Sequence, residues 1–321
     1  MARRALGPAA LALTQALDAV PPAPWVVACS GGADSLALAW AAGVVARRRG
    51  TRCRAVVVDH SLQPGSDAVA AAVAGALASL PVPHAETLAL PAAVARVTVV
   101  DAGLGLEASA RQARYAALEA AAEPGERVLL GHTLDDQAET VLLGLARGSG
   151  ARSLAGMPAE RGPFVRPLLG VAREVTAACC DELGLQPWAD PMNADRRFAR
   201  VRVREVVLPV LERELGPGVR EALARTADQL RRDADALDAD ATAAAPADGE
   251  GLSCRWLAGL EPAIRDRVVR DWLTARGASD LAAGHVAAVT ALVTDWRGQR
   301  GADLPGLRVR RCHGSLTVER R

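Results

Sequence analysis

The chain has 321 residues, 50% of them apolar, with 38 Lys+Arg against 37 Asp+Glu and a formal net charge of +1. That length suits one large or two ordinary domains with ample core, and the balanced charge excludes a global field for nucleic acid, so any basic surface must be local. No apolar run reaches the ~18 residues of a bilayer span, and six cysteines without a C-x-x-C pair exclude a disulfide scaffold and a zinc site. Every cation is Arg, and Tyr115, Asn193 and Ile264 are the single members of their kinds, which reads as a genomic composition bias.

The start Met1-Ala-Arg-Arg imitates a signal n-region, but Pro8, Thr14, Gln15 and Asp18 interrupt the next stretch, so a leading amphipathic helix is expected. Residues 25–29, 53–59 and 127–130 are short apolar runs that predict buried strands, and 84–90 predicts a weaker one. Helices are expected over 36–49, 67–80, 107–122, 133–147 and 171–183, stopped by glycine or proline. This alternation predicts an α/β fold, a doubly wound parallel sheet whose ligands bind beyond the carboxyl ends of the strands. A boundary is expected near Leu208-Pro209, followed by a long acidic connector helix over 219–245. A second, smaller, mainly helical domain comes next, with helices near 261–276 and 280–294 and a hairpin across His313-Gly314. The thiols are read as reduced and mostly buried, as in a cytoplasmic protein.

The strongest chemical signal is Ser30-Gly31-Gly32-Ala33-Asp34-Ser35, set between a buried strand and a helix. Two glycines let backbone amides approach an anion closely, and the helix start behind them adds unpaired donors and a positive dipole end. Ser30 and Ser35 offer hydroxyls to phosphate oxygens. Asp34 beside a phosphate is repulsive unless a cation bridges them, which suggests Mg²⁺ handling or a cap at the helix start. The Walker and dinucleotide fingerprints are both absent.

S-G-G-x-D-S after a first strand resembles the signature of the PP-loop ATP pyrophosphatases, which have an adenine nucleotide α hydrolase-like fold. Four further segments, in order, resemble the tRNA(Ile)-lysidine synthetase family: Asp59-His60-Ser61-Leu62-Gln63-Pro64; Glu107 through Arg111 and Arg114 to Tyr115; Gly131-His132 through Asp135-Asp136-Gln137 to Glu139-Thr140; and Asp190-Pro191-Met192-Asn193 with the arginines after it. Met192 stands where that family commonly has a small residue. The resemblance implies a PP-loop ATP-binding catalytic domain over 1–212 and a helical connector with a tRNA-binding domain over 213–321. It implies ATP with Mg²⁺, free L-lysine and a tRNA(Ile) with a CAU anticodon, joined through an adenylated wobble cytidine. The chain ends soon after the second domain, so contacts made by a further C-terminal domain of longer relatives are not expected. A homodimer is left open.

Each segment also has a plainer reading. His132, Asp136 and Glu139 fall at i, i+4 and i+7 and share a helix face. There they can hold an ammonium and relay its proton, or Thr133-x-x-Asp136 can be a capping box with Glu139 solvated. Arg111 and Arg114 suit an α-phosphate or departing pyrophosphate, or pair with Glu107 or Glu119. Tyr115 reads as core packing with a bonded hydroxyl. Asp59 and His60 line the nucleotide pocket or cap a turn. Arg196, Arg197, Arg200, Arg202 and Arg204 form an acid-free stripe, read as a tRNA phosphate contact or as solvated charge; the arginines at 308, 310, 311, 320 and 321 form a second patch. The resemblance favours Asp34, Arg111, His132, Asp136 and Glu139 as catalytic. It gives the loop residues Ser30, Gly31, Gly32, Ala33, Asp34 and Ser35, with Asp59 and His60, to the nucleotide. A PP-loop tRNA thiolase and a non-catalytic ATP-binding regulator remain alternatives.

Overall fold

The computed structural model describes residues 6–82, 87–99, 105–148, 150–246, 251–279 and 281–320, without the side chains of Leu106 and Glu107. His84, the side chain of Glu107, Asp280 and Arg321 therefore lie outside the described residues. The chain forms two compact units. One runs up to Leu143 and resumes over Gly156–Arg225; the other takes Gly144–Ala155 and the chain from Thr226 onward.

The larger unit holds strands β1 (Trp25–Ala28), β2 (Cys53–Asp59), β3 (Ala92–Arg96), β4 (Arg127–Leu130), β5 (Glu160–Arg161) and β6 (Phe164–Val165). Their spatial order is β3-β2-β1-β4-β6-β5. All neighbours are parallel except β5, which pairs antiparallel with β6. Helices α1 (Pro8–Asp18), α2 (Ala33–Arg49), α3 (Ser66–Leu77), α4 (Leu106–Ala121) and α5 (Leu134–Ala146) alternate with them and α7 (Arg173–Leu183) comes after; the short α6 (Ala151–Leu154) lies in the segment that belongs to the other unit. Trp25 and Val27 of β1 pack into a core with α1, α2, α3 and α7, whereas Val26 turns to Leu118 of α4 and Phe164. The strand is apolar on both faces because helices cover both. Among the described residues no helix is long and apolar enough to cross a membrane.

One expectation shifts. The third strand is Ala92–Arg96, not 84–90; of the earlier stretch the described part makes only a bridge between Leu80 and Leu88. An Ala-Ala-Val-Ala run carries too weak an apolar signal to be read as a strand. The chain is helical through Leu208-Pro209. The backbone passes from α8 (Ala199–Arg202) through a π-turn at Val203–Val207 into α9 (Leu208–Leu215). Proline has no N–H for the carbonyl four residues back and its ring crowds that carbonyl; the wider turn absorbs both problems. The connector α10 (Val219–Ala244) is the next helix.

The smaller unit has β7 (Leu252–Ser253), α11 (Cys254–Ala258), α12 (Pro262–Ala275), α13 (Ala283–Thr294), β8 (Ala302–Leu304), β9 (Leu307–Cys312) and β10 (Ser315–Arg320). Its antiparallel sheet runs β7-β10-β9-β8, with β9 and β10 as the expected hairpin. Val268, Trp272, Val289 and Val309 share its core. The sequence signalled the helices and the hairpin; the two- and three-residue strands β7 and β8 are too short for a periodic pattern.

Candidate active site

The strand order reverses at β1, with β2 on one side and β4 on the other, and the cradle lies at this switch point, where open α/β sheets bind ligands. Cys29 closes β1, its amide donating to Val56 O at 3.0 Å. Gly31 then takes φ +86°, a left-handed conformation that glycine alone adopts freely, and a Cβ there would lie 2.4 Å from Val73 Cγ2. Gly32 is the N-cap of α2, in extended backbone with φ −68° and ψ 161°. A Cβ on Gly32 would meet only Ser30 Oγ, at 3.8 Å. The protein's own packing therefore does not demand a glycine there, and the bare backbone faces outward beside the unpaired first-turn amides of α2.

The two serines differ. Ser35 is buried and staples the loop: its hydroxyl accepts from Ser30 N at 3.1 Å and donates to Gly32 O at 3.0 Å. Ser30 is exposed, its hydroxyl 3.2 Å from that of Ser35. Trp188 donates its backbone N–H to Gly31 O at 2.9 Å, and Gln63 Nε2 donates to Asp190 Oδ1 at 3.3 Å. Two of the sequence segments thus join behind the loop. Asp59 is buried and accepts from Ser61 N at 2.9 Å, the turn-capping geometry. Hydrogen bonds from Ser66 and Ser61 hold its carboxyl below the usual range.

Beside the cradle, three carboxylates converge on one guanidinium that the sequence reading missed. Arg173, at the start of α7, donates from Nη2 to Asp136 Oδ1 at 3.0 Å, from Nη1 to Glu139 Oε1 at 3.3 Å and from Nε to Asp34 Oδ2 at 3.4 Å. Asp34 also accepts from the Thr176 hydroxyl. Its carboxyl is pushed up by burial, which outweighs Thr176 and Arg173. Asp136 makes the cap that the plainer reading expects, but Glu139 is buried rather than solvated. Asp136 Oδ2 accepts from Thr133 N at 2.9 Å and Thr133 Oγ1 at 3.0 Å, the cap, while Oδ1 faces Arg173. Burial pushes its carboxyl up, but Arg173 and the Thr133 amide together pull it below the usual range. Glu139 is fully buried and accepts from Arg204 Nε at 2.7 Å and Arg204 Nη2 at 3.1 Å.

The arginine stripe divides. Arg204 and Arg200 turn inward: Arg200 Nε lies 3.8 Å from Glu139, and its Nη2 donates to Thr140 Oγ1 at 3.1 Å. Arg196, Arg197 and Arg202 are exposed; Arg196 pairs with Glu205 at 3.0 Å and Arg197 with Asp195 at 2.7 Å.

On the other side of His132 the charge is positive. Burial, with Arg166, Arg111 and Arg114 against it and only Asp136 in favour, pushes the His132 imidazole down to about 3, so it is neutral at pH 7. Burial and Arg114 likewise lower His60. The Nδ1 atoms of both histidines are buried without a partner among the described residues.

No group of three or more His, Cys, Asp or Glu among the described residues is placed to hold a metal ion. Asp34 offers one carboxylate in the Ser30–Ser35 loop, an oxygen ligand of the kind Mg²⁺ takes.

A cradle of this kind at the switch point makes the larger unit a PP-loop domain, and residues 8–211 match the PP-loop domain model. Residues 252–317 match the TilS substrate binding domain. The tRNA(Ile)-lysidine synthase of Leifsonia xyli subsp. xyli is 52% identical over 307 residues, 92% of this chain and 90% of that one. That of Mycolicibacterium paratuberculosis is 54% identical over 306 residues, with the same coverage. That of Thermobifida fusca is 52% identical over 315 residues, 96% of this chain and 95% of its own. The chain belongs to the tRNA(Ile)-lysidine synthase family. The U34-tRNA thiolase NcsA of Methanococcus maripaludis shares the fold, with a TM-score of 0.56 at 17% identity over 69% of this chain and 78% of its own.

Proposed function

We propose that the protein ligates L-lysine to C2 of the wobble cytidine of a tRNA(Ile) with a CAU anticodon. The C2 oxygen attacks the α-phosphate of ATP and pyrophosphate leaves; the lysine ε-amine then attacks C2 and AMP leaves with the oxygen. The observation that carries this reading is the carboxylate pair of Asp136 and Glu139 gathered with Asp34 on Arg173, in a chain 52–54% identical to lysidine synthases over most of its length. A lysine amine has pKa ≈ 10.4 in water, so it arrives protonated and needs carboxylates to receive it and a route for its proton.

In this reading Gly31, Gly32, Ala33 and Ser30 hold phosphates, Ser35 fixes the loop, and Asp59 and His60 border the nucleotide. Mg²⁺ comes with the triphosphate as part of the substrate, and Asp34 meets it. Asp136 and Glu139 orient the amine, which takes over hydrogen bonds that Arg173 makes to them. Arg111 stabilises developing negative charge, and the neutral His132 contacts phosphate or accepts a proton. Arg196, Arg197 and Arg202 meet the tRNA backbone, while Arg200 and Arg204 serve Glu139. Catalysis lies in residues 1–212, with the connector and tRNA-binding portion in 213–321. The cytoplasm fits six free cysteines, and a homodimer is compatible.

The test separates the half-reactions. Asp34→Ala abolishes tRNA-dependent pyrophosphate release with the fold intact, whereas Asp136→Ala spares that release more than lysine transfer. Full turnover by the first variant, or equal loss of both steps in the second, refutes these roles.

A further inference from the structure

Arg166 comes directly after β6 and is only 5% exposed. Its Nη1 donates to Pro158 O at 2.9 Å and its Nη2 to the Tyr115 hydroxyl at 3.3 Å. Its Nε is buried with no partner among the described residues. The same hydroxyl accepts from Arg111 Nη2 at 3.2 Å, and the Arg111 guanidinium lies 5.0 Å above the Tyr115 ring. That ring is fixed edge-on against Phe164, 4.9 Å between centroids. Tyr115 therefore gathers two guanidiniums at one oxygen.

The contrast with the other inward arginines is one of charge balance. Arg173, Arg200 and Arg204 each reach Glu139, and the half-buried Arg54 is answered by the buried Glu126. Among the described residues, no carboxylate lies within ion-pair distance of Arg166, Arg111 or Arg114. A buried guanidinium without a counter-anion is costly, and a second buried polar atom, His132 Nδ1, is also without a partner among the described residues. A group that completes all of these is an oxyanion brought from outside.

We propose that Arg166 is the buried anchor of an oxyanion receptor, completed by Arg111, with Tyr115 as the residue that positions both guanidiniums. The inference rests on the ligase reading and deepens it. Two groups in that reaction carry the required chemistry, the α-carboxylate of the amino acid and a phosphate of the nucleotide.

The experiment compares the full-length wild type with Arg166→Gln and Tyr115→Phe. KM and kcat are measured for ATP, for lysine, and for cadaverine, which is lysine without its carboxylate. A receptor for the carboxylate predicts that Arg166→Gln raises the lysine KM at least tenfold, leaves the ATP KM unchanged and abolishes the preference for lysine over cadaverine. A receptor for phosphate predicts a tenfold rise in the ATP KM with that preference intact. Tyr115→Phe keeps the ring packing and moves the same KM several-fold with little change in kcat. KM values within twofold of wild type in folded Arg166→Gln overturn the receptor; if that variant does not fold, unchanged KM values in Tyr115→Phe overturn it. Absence of lysine transfer by the wild type would instead refute the underlying ligase reading.

Discussion

Gly31 and Gly32 sit side by side, yet alanine at each should do different things. At Gly31 the left-handed backbone costs an alanine about 1–2 kcal/mol. Its Cβ, 2.4 Å from Val73 Cγ2, adds overpacking of about 1–3 kcal/mol. Gly31→Ala should therefore lose about 2–5 kcal/mol of stability. At Gly32 the backbone already suits alanine, and the Cβ meets only Ser30 Oγ at 3.8 Å. Stiffening the unfolded chain stabilises by about 0.4–1 kcal/mol; alanine is a poorer N-cap than glycine by a similar amount. The two nearly cancel, so Gly32→Ala should unfold in urea within about 0.5 kcal/mol of wild type. If a phosphate packs on that bare backbone, the same methyl must displace it. ATP affinity then falls at least tenfold, about 1.4 kcal/mol. Isothermal titration with ATP and urea unfolding measure both quantities on one variant. Wild-type ATP affinity in a folded Gly32→Ala protein would refute the cradle as the phosphate site.

Protonation of His132 should destabilise the fold. Its folded value, about 3, lies below the unfolded value of ~6.5, so the unfolded chain binds the extra proton between them and stability falls as pH drops from about 6.5 toward 3. Urea midpoints across that window should lose this slope in His132→Gln; an unchanged slope contradicts the assignment. Glu139→Gln removes the carboxylate that Arg204, Arg173 and Arg200 share, leaving Arg173 with Asp136 and Asp34 and Arg204 with Asp136 at 3.7 Å. Because the Arg204 and Arg173 side chains are 29% and 25% exposed, a loss of about 2–3 kcal/mol is expected, below the ~3–5 of a fully buried pair, with lysine transfer lost. Replacing Arg196, Arg197 and Arg202 together with alanine should weaken tRNA binding and flatten its salt dependence. Arg204→Ala should raise the lysine KM and leave that salt dependence unchanged.

The sheet and cradle were legible because β1, β2 and β4 are apolar on both faces and Ser30–Ser35 is a dense local signal. β3 was not, since an alanine-rich edge strand looks like neither element. The acidic cluster was half legible: helix periodicity aligned Asp136 with Glu139, but nothing local ties them to Asp34, which lies about 100 residues earlier in the chain. Arg173 was missed because a single arginine at a helix start carries no periodic signal in a chain whose every cation is arginine. The inward turn of Arg200 and Arg204 was hidden for a related reason: five arginines without an acid look like a stripe until the fold brings Glu139 across from them. Arg166 shows the same limit, since its burial arises only when β6 joins the sheet.

The most direct measurement is mass analysis of a tRNA(Ile) transcript with a CAU anticodon after incubation with the protein, ATP and isotopically labelled lysine. The anticodon-loop fragment should gain one labelled lysine with loss of water, with one pyrophosphate and one AMP released per tRNA. An unlabelled fragment from folded protein supplied with all three substrates would contradict the ligase reading.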